Sequence, residues 1–310
     1  MSVLDPAGPV AKMQLDLIYL SFWIMIAVSA VVVIIFTYVV IRYRKRKGQE
    51  GDPEQVEGNH WLELTWIVIP FILIVILSVP TITQTMHLSA APTDPDTVTV
   101  KVTGKQYWWQ FEYPDLGIVT ANELYIPTGK KIHFEITSTD VIHAFWVPRL
   151  GGKVDANPGH ITTLWLQADE PGVYPGTCAE LCGEGHALMG FTVIAQAPSD
   201  FDTWVAQMQN PAVEPTTDLA RQGEELFAAN CASCHAVAGT SFNGNLGPDL
   251  TGFAHRLTIG AGLLENNPQE LAAWIKDSPA IKPGVQMPSF NGTLDDAQIS
   301  AIVEYMNQLK

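Results

Sequence analysis

Two thiols, an imidazole and a thioether crowd into the stretch Cys178-Ala-Glu-Leu-Cys182-Gly-Glu-Gly-His186-Ala-Leu-Met189. Soft donors of this kind suit copper better than calcium or magnesium. A single blue-copper ion uses one Cys, two His and a weak axial ligand such as Met, so this loop carries one thiolate too many for it. Two thiolates that both bridge could hold two copper ions, each completed by one imidazole and one weak donor. The second imidazole is supplied upstream by His143, in Ile142-His143-Ala144-Phe145-Trp146 at the end of an apolar run. Other uses compete. A Cys-x3-Cys pair in an oxidising compartment could be a disulfide, the Cys and His residues could hold a tetrahedral zinc, and Met189 could fill a core. Neither a disulfide nor a zinc site accounts for so many donor types in one glycine-containing loop.

A second constellation follows at Cys231-Ala-Ser-Cys234-His235, the attachment pattern of c-type heme. Its two thiols add to the heme vinyl groups, and the adjacent imidazole is then forced onto the iron. A redox Cys-x2-Cys with an accidental His is the alternative, but the βαβ pattern of thioredoxin-like proteins is missing around it. Methionine as sixth ligand raises the heme potential. Met287, in the loop Pro283-Gly-Val-Gln-Met-Pro288, can approach iron, whereas Met306 lies in the last helix and is expected in its core. Met287 is therefore the expected ligand. Both cysteine pairs are then given cofactor roles, and none is left for a disulfide framework.

These sites need a scaffold and a compartment. From Leu17 to Ile41 the chain is uncharged and apolar, long enough to cross ~30 Å of hydrocarbon as a helix. The basic cluster Arg42-Tyr-Arg-Lys-Arg-Lys47 follows and marks the cytoplasmic end. A second apolar run extends from Leu64 to Met86, interrupted by Pro70 and Pro80, which membrane helices tolerate. Charge bias puts the N-terminus outside, the 42–63 loop inside, and everything after about residue 88 outside. The expected location is the bacterial plasma membrane, multi-pass and in contact with lipid, with both C-terminal domains on the outer or periplasmic face. Glu63 precedes the second span on the cytoplasmic side. It is either a solvated carboxylate favoured by the helix dipole or a point where protons are taken up.

Beyond a linker at 89–97 the hydrophobic period becomes two. Val98–Thr103, Lys131–Ile136 and Thr162–Leu166 alternate between turns at Pro127-Thr-Gly129 and Pro171-Gly172, which suggests an antiparallel sandwich or barrel. The soft-donor loop sits between a strand near Gly172–Tyr174 and a last strand at Phe191–Ala195. Tyr107-Trp-Trp-Gln-Phe-Glu-Tyr113 is an aromatic strand whose rings are core, membrane belt or a place where electrons enter. Asn210–Pro215 reads as a stiff, extended linker. Helices follow, with Asp218 as a cap, Asn267-Pro-Gln-Glu270 as an N-cap with proline at N1, and Thr293-Leu-Asp-Asp296 as a capping-box start. The expected domains are a membrane hairpin at 1–90, an all-β domain at 91–197, a linker at 198–217 and an all-α domain at 218–310. The formal charge of −15 excludes nucleic acid as a partner and favours a basic protein.

With these residues in view, positions 1–197 resemble subunit II of heme–copper cytochrome c oxidases. Positions 218–310 resemble a class I cytochrome c domain, with Gly247-Pro-Asp-Leu-Thr-Gly252 after the heme motif. Together they look like the caa-type bacterial subunit, in which a donor cytochrome is fused to the copper subunit. The resemblance implies a cupredoxin-like domain holding the dinuclear centre called CuA. Cys178 and Cys182 would bridge both coppers, and His143 and His186 would take one each. Met189 and the Glu180 carbonyl would be the weak axial ligands, and the Glu180 carboxylate would reach a magnesium ion shared with subunit I. Glu63 would lie at the start of a proton pathway.

The family's aromatic strand usually reads Gly-His-Gln-Trp-x-Trp, its first Trp admitting electrons. Here Gly104-Lys-Gln-Tyr107-Trp108-Trp109 puts Tyr107 at that position, beside Trp108. The implied activity is electron relay within a proton-translocating oxidase, from a cytochrome c or membrane-bound cytochrome donor to heme c, CuA and subunit I. Subunits I and III would be partners, and oxygen would be reduced in subunit I. The linker raises the effective concentration of heme c to roughly millimolar, so no tight docking surface is expected. A nitric oxide or nitrous oxide reductase component and a membrane copper-delivery protein are the alternatives. The second has no use for a covalent heme. A quinol-oxidase subunit, which lacks the copper ligands, is excluded if copper is bound.

Overall fold

The computed structural model describes residues 1–48, 50–51, 57–211 and 213–310. The chain divides into two compact units, Met13–Ala90 and Met1–Lys12 with Ala91–Lys310. Helix α1 covers Pro9–Tyr43 and α2 covers His60–Ser89, and both are long and apolar enough to span a bilayer. The expected spans lie inside them. In α2, Asn59 caps the N-terminus by accepting from the N–H groups of Trp61 and Leu62. Pro70 and Pro80 sit within the helix. Part of the 42–63 loop, residues 49 and 52–56, lies outside the described residues, as does residue 212 of the 210–215 linker.

The first residues, expected as a polar tail of the 1–90 hairpin, pack instead on the soluble unit. The Ala7 N–H donates to the Arg149 carbonyl at 2.7 Å, and the Asp169 N–H donates to the Ala7 carbonyl at 3.0 Å. Val10 and Ala11 are buried there. Because residues 1–12 and the β domain meet, both lie on one side, as an even number of intervening spans requires.

The β domain is a sandwich. One sheet has the order β3-β2-β1-β5-β8, with β1 at Val98–Lys105, β2 at Trp108–Tyr113, β3 at Ile118–Ala121, β5 at Ile132–Ser138 and β8 at Thr162–Leu166. The other has the order β4-β10-β9-β6-β7, with β4 at Glu123–Pro127, β6 at His143–Trp146, β7 at Val154–Ala156, β9 at Gly172–Cys178 and β10 at Gly190–Gln196. The sheets are mixed, not antiparallel as expected. β1 pairs parallel with β5 and β10 pairs parallel with β4, because the chain crosses to the opposite sheet before returning beside each partner. Alternation along β2 and β5 points Trp109, Phe111, Phe134 and Ile136 inward. On the inner face of the second sheet, Phe145 of β6 stacks on Phe191 of β10 over the intervening β9, ring centroids 4.6 Å apart. Helix α3 (Pro198–Gln209) lays Trp204 on Tyr125 of β4, ring centroids 4.6 Å apart.

The C-terminal module is helical, with α4 at Asp218–Asn230, α5 at Pro268–Ile281 and α6 at Asp296–Met306, plus a short hairpin of β11 (Thr258–Ile259) and β12 (Leu264–Glu265). α4 crosses α6 so closely that a Cβ at Gly223 would stand 2.0 Å from the Ala301 carbonyl, so only glycine permits the crossing. Two caps fall one or two residues from their expected places. Thr217, not Asp218, caps α4, and the capping box of α6 joins Asp295 and Gln298, because these side chains reach the free N–H groups. Asn267 caps α5 as expected, accepting from the Glu270 N–H.

Candidate metal and heme sites

β9 ends at Cys178, and the loop to β10 folds back over it. The Cys178 N–H donates to the Met189 carbonyl at 3.0 Å, closing the loop at its base. β6 pairs with β9 so that Phe145 lies opposite Cys178, which brings His143 to the same end of the sandwich. The expected donors converge. Cys178 Sγ lies 3.9 Å from Cys182 Sγ, 3.8 Å from His143 Nδ1 and 3.3 Å from the Glu180 carbonyl oxygen. Cys182 Sγ lies 3.6 Å from His186 Nδ1 and 3.8 Å from Met189 Sδ. His143, Cys178, Cys182 and Met189 are buried, and His186 is half-buried.

This arrangement fits a soft metal. A disulfide needs its sulfurs ~2.05 Å apart, and these thiols are free. Donors at the corners of a tetrahedron with metal bonds of ~2.0–2.3 Å stand about 3.5 Å apart, close to the separations here. The donors exceed the four of a structural zinc site, and they divide into one thiol–imidazole pair around each sulfur. The acid–base chemistry agrees. Burial opposes ionisation of both thiols, but His143 and backbone groups at Glu180 and Ala144 bring Cys178 down to about 7. Burial and the neighbouring Cys178 push Cys182 up to about 12. A pair so arranged gives up its second proton readily only to a cation that takes both sulfurs.

Asp140 was not apparent in the sequence, and it fixes the buried imidazole. Its Oδ1 accepts from His143 Nε2 at 2.8 Å, and its Oδ2 accepts from the Gln106 N–H at 2.7 Å. Nδ1 of His143 is thereby left to face Cys178. Burial alone would raise the Asp140 pKa, but hydrogen bonds from His143, Gln106 and Val141 hold it below the usual carboxylate range. Partners of this type are worth about 10–100-fold in metal affinity. Asp140→Ala should therefore weaken copper retention by that factor, measured by competition with a chelator, while the fold persists.

Glu180 separates its two expected roles. Its carbonyl faces Cys178, whereas its carboxylate is half-exposed, 4.0 Å from Lys153 Nζ. Tyr107 is buried, not an open ring, and its neighbours are the glycines of the soft-donor loop. A Cβ at Gly185 would lie 2.5 Å from Tyr107 Cδ2, and one at Gly183 would lie 2.4 Å from its hydroxyl. Gln106 Nε2 donates to the Cys182 carbonyl at 2.6 Å, tying this turn to the loop. Trp108 is half-buried under Lys105, whose Nζ lies 4.8 Å from the ring centre. Glu63 sits in the first turn of α2, exposed, in the other unit.

In the helical module, α4 ends at the first heme-motif thiol. The N–H groups of Cys234 and His235 both donate to the Cys231 carbonyl at 3.0 Å, a tight turn that gathers the three residues. The Cys231 and Cys234 thiols are free and half-buried. His235 Nδ1 donates to the Pro248 carbonyl at 2.7 Å, which leaves Nε2 as the free nitrogen. Burial pulls its pKa down, keeping the ring neutral and able to ligate. These residues fit a covalent heme. Met306 is buried with Phe227, Ile302 and Tyr305 in the module's core. Met287 is half-buried in its loop, where its carbonyl accepts from Ser278 Oγ. Of the two methionines, Met287 is the less buried.

The family model described as the transmembrane domain of cytochrome c oxidase subunit II matches residues 1–83, that of its periplasmic domain matches 117–196, and that of cytochrome c matches 220–310. A cytochrome c oxidase subunit 2 of Alkalihalophilus pseudofirmus is 46% identical over all of this chain and 91% of the relative. A quinol oxidase subunit 2 of Bacillus subtilis is 40% identical over 70% of this chain and 69% of the relative. Among solved structures, the periplasmic domain of cytochrome oxidase subunit II of Bradyrhizobium japonicum is 33% identical, covering 39% of this chain and 97% of that one with a TM-score of 0.37.

Proposed function

The chain belongs to the cytochrome c oxidase subunit II family, in its caa-type form with a fused cytochrome c domain, and from that premise we propose how it relays electrons. It accepts them from a cytochrome donor at heme c, passes them to a dinuclear CuA centre, and delivers them to subunit I, where dioxygen is reduced to water. The observation that carries this reading is the convergence of both thiols, both imidazoles and Met189, in the same compact unit as Cys231-x2-Cys234-His235.

When bound, copper and heme iron supply one-electron redox chemistry. The residues of the chain do the rest. Cys178 and Cys182 would hold two coppers between them, with His143 and His186 at the two ends and Met189 and the Glu180 carbonyl as weak donors. Asp140 keeps the His143 ring fixed, and a ligand set buried to this degree resists rearrangement on electron transfer. Cys231 and Cys234 would bind heme c covalently, with His235 and Met287 on the iron.

The half-exposed Glu180 carboxylate would share a magnesium ion with subunit I, and Glu63 would admit protons from the cytoplasmic side. Subunit III completes the assembly in the plasma membrane, with both C-terminal domains outside. Quinol as reductant, which the name of the B. subtilis relative would bring, is disfavoured by the complete soft-donor set, and a copper-delivery role by the heme motif. Metal and heme analysis of the purified chain should give about two coppers per covalently bound heme. One copper, or zinc in its place, would remove the dinuclear centre.

A further inference from the structure

The copper and cytochrome modules meet at two buried ionisable side chains. Glu123, at the start of β4, is 1% exposed, and its Oε1 accepts across the boundary from the N–H groups of Leu257 at 2.8 Å and Thr258 at 2.9 Å and from the Thr258 hydroxyl at 3.3 Å. In its own module, Oε2 accepts from the Tyr125 hydroxyl at 3.3 Å. Lys282, just after α5, is 2% exposed. Its Nζ donates across the boundary to the Tyr107 carbonyl at 2.7 Å and within its own module to the Gly260 carbonyl at 3.0 Å.

Between these points the Tyr107 ring is enclosed from both sides. A Cβ at Gly185 of the copper loop would stand 2.5 Å from it, and one at Gly284, in the loop leading to Met287, would stand 2.8 Å from it. The turn at Ala261, which holds a left-handed φ of 69°, abuts Gly190 of β10. A buried polar group without its hydrogen-bond partners is costly, whether or not it is charged. Each of these two side chains therefore fits in a pose where the opposite module supplies backbone groups, and most other poses would strand one of them.

We propose that Glu123 and Lys282 form a two-point clasp that holds the cytochrome module on the copper module in one orientation, with Tyr107 filling the gap between the copper loop and the Met287 loop. Both are positioning residues. The clasp deepens the relay reading and rests on it for its purpose. It replaces chance encounter at the end of a tether with a fixed pose, and it covers the Tyr107 face. An external donor then delivers electrons to the cytochrome module and not to the copper domain.

Hydrogen–deuterium exchange on the full-length, metal-loaded chain tests this, with heme and copper spectra confirming that each variant is folded. Glu123→Ala and Lys282→Met should each speed exchange at the Leu257 and Thr258 amides by about tenfold or more, because either loss loosens the whole pose. Glu123→Gln, which keeps an acceptor oxygen, should stay closer to the parent. The effect of Lys282→Met on amides it does not touch is the reading a merely local role would not give. Unchanged exchange in that variant, or exchange in the parent already as fast as in Glu123→Ala, overturns the clasp. Absence of heme-to-copper electron transfer in the parent, with the exchange pattern as expected, would refute the relay and leave the clasp supported.

Discussion

Replacing Cys182 with serine is expected to abolish the mixed-valence copper signal while leaving the covalent heme spectrum unchanged. Cys182 Sγ is within 3.9 Å of Cys178 Sγ, His186 Nδ1 and Met189 Sδ, so three other donors meet at it. A serine hydroxyl is harder and far less acidic than a thiol, and it does not bridge soft ions. The remaining Cys178, His143, His186 and Met189 are the donor types of a single copper of the blue type. The expected result is thus a fall from about two coppers per chain to one or none, read by elemental analysis and electron paramagnetic resonance. The heme motif lies in another module with its own core, and its absorbance should not move. Retention of a two-copper, mixed-valence spectrum in this variant would show that Cys182 does not bridge.

Trp109→Ala should be the most damaging packing change in the copper module. Trp109 is fully buried and meets three rings edge-on, His143 at 5.9 Å, Phe145 at 5.7 Å and Phe191 at 5.6 Å. Truncating a buried Trp costs about 3–5 kcal/mol through lost transfer energy and the cavity left behind. Here the cavity opens against a proposed copper ligand, so His143 loses its packing on one side and is held by Asp140, Cys178 and Gly104 on the others. Denaturant unfolding of the copper module should shift by that amount, with weakened copper binding alongside. Trp109→Phe should recover most of both. A loss under about 1 kcal/mol would mean that the rings close up around the gap.

The sequence was most legible where donors cluster along the chain. Cys178, Cys182, His186 and Met189 fall in one loop, and the heme motif is contiguous, so chemistry alone identified both candidate sites. His143 was legible as an imidazole set beside apolar residues, although it opens β6 and does not end a strand. The spans were legible for a similar reason, since uninterrupted apolar length has few other uses. What escaped were partnerships made through backbone. Glu123 is a carboxylate inside a fully buried strand, which is itself a signal, but its partners are amides 134 and 135 residues away. Lys282 likewise binds carbonyls, which no side-chain pattern announces.

Asp140 carries no signal in the sequence; the fold puts its two oxygens on His143 and Gln106. The parallel pairings escaped because alternation reveals which face is buried, not which neighbour a strand takes. The tether was expected to make docking unnecessary. The structure instead carries a specific contact, because joining two modules removes the entropic cost of encounter and lets a few buried polar groups fix their pose.

One electron should pass within this chain from heme c to the copper pair. Rapid photoreduction of the heme in the full-length, oxidised chain, followed at a heme band and a copper band together, measures this step. Heme reoxidation and copper reduction should proceed with the same single rate, independent of protein concentration. Copper that stays oxidised while the heme remains reduced, or a rate that rises with protein concentration, would contradict this transfer.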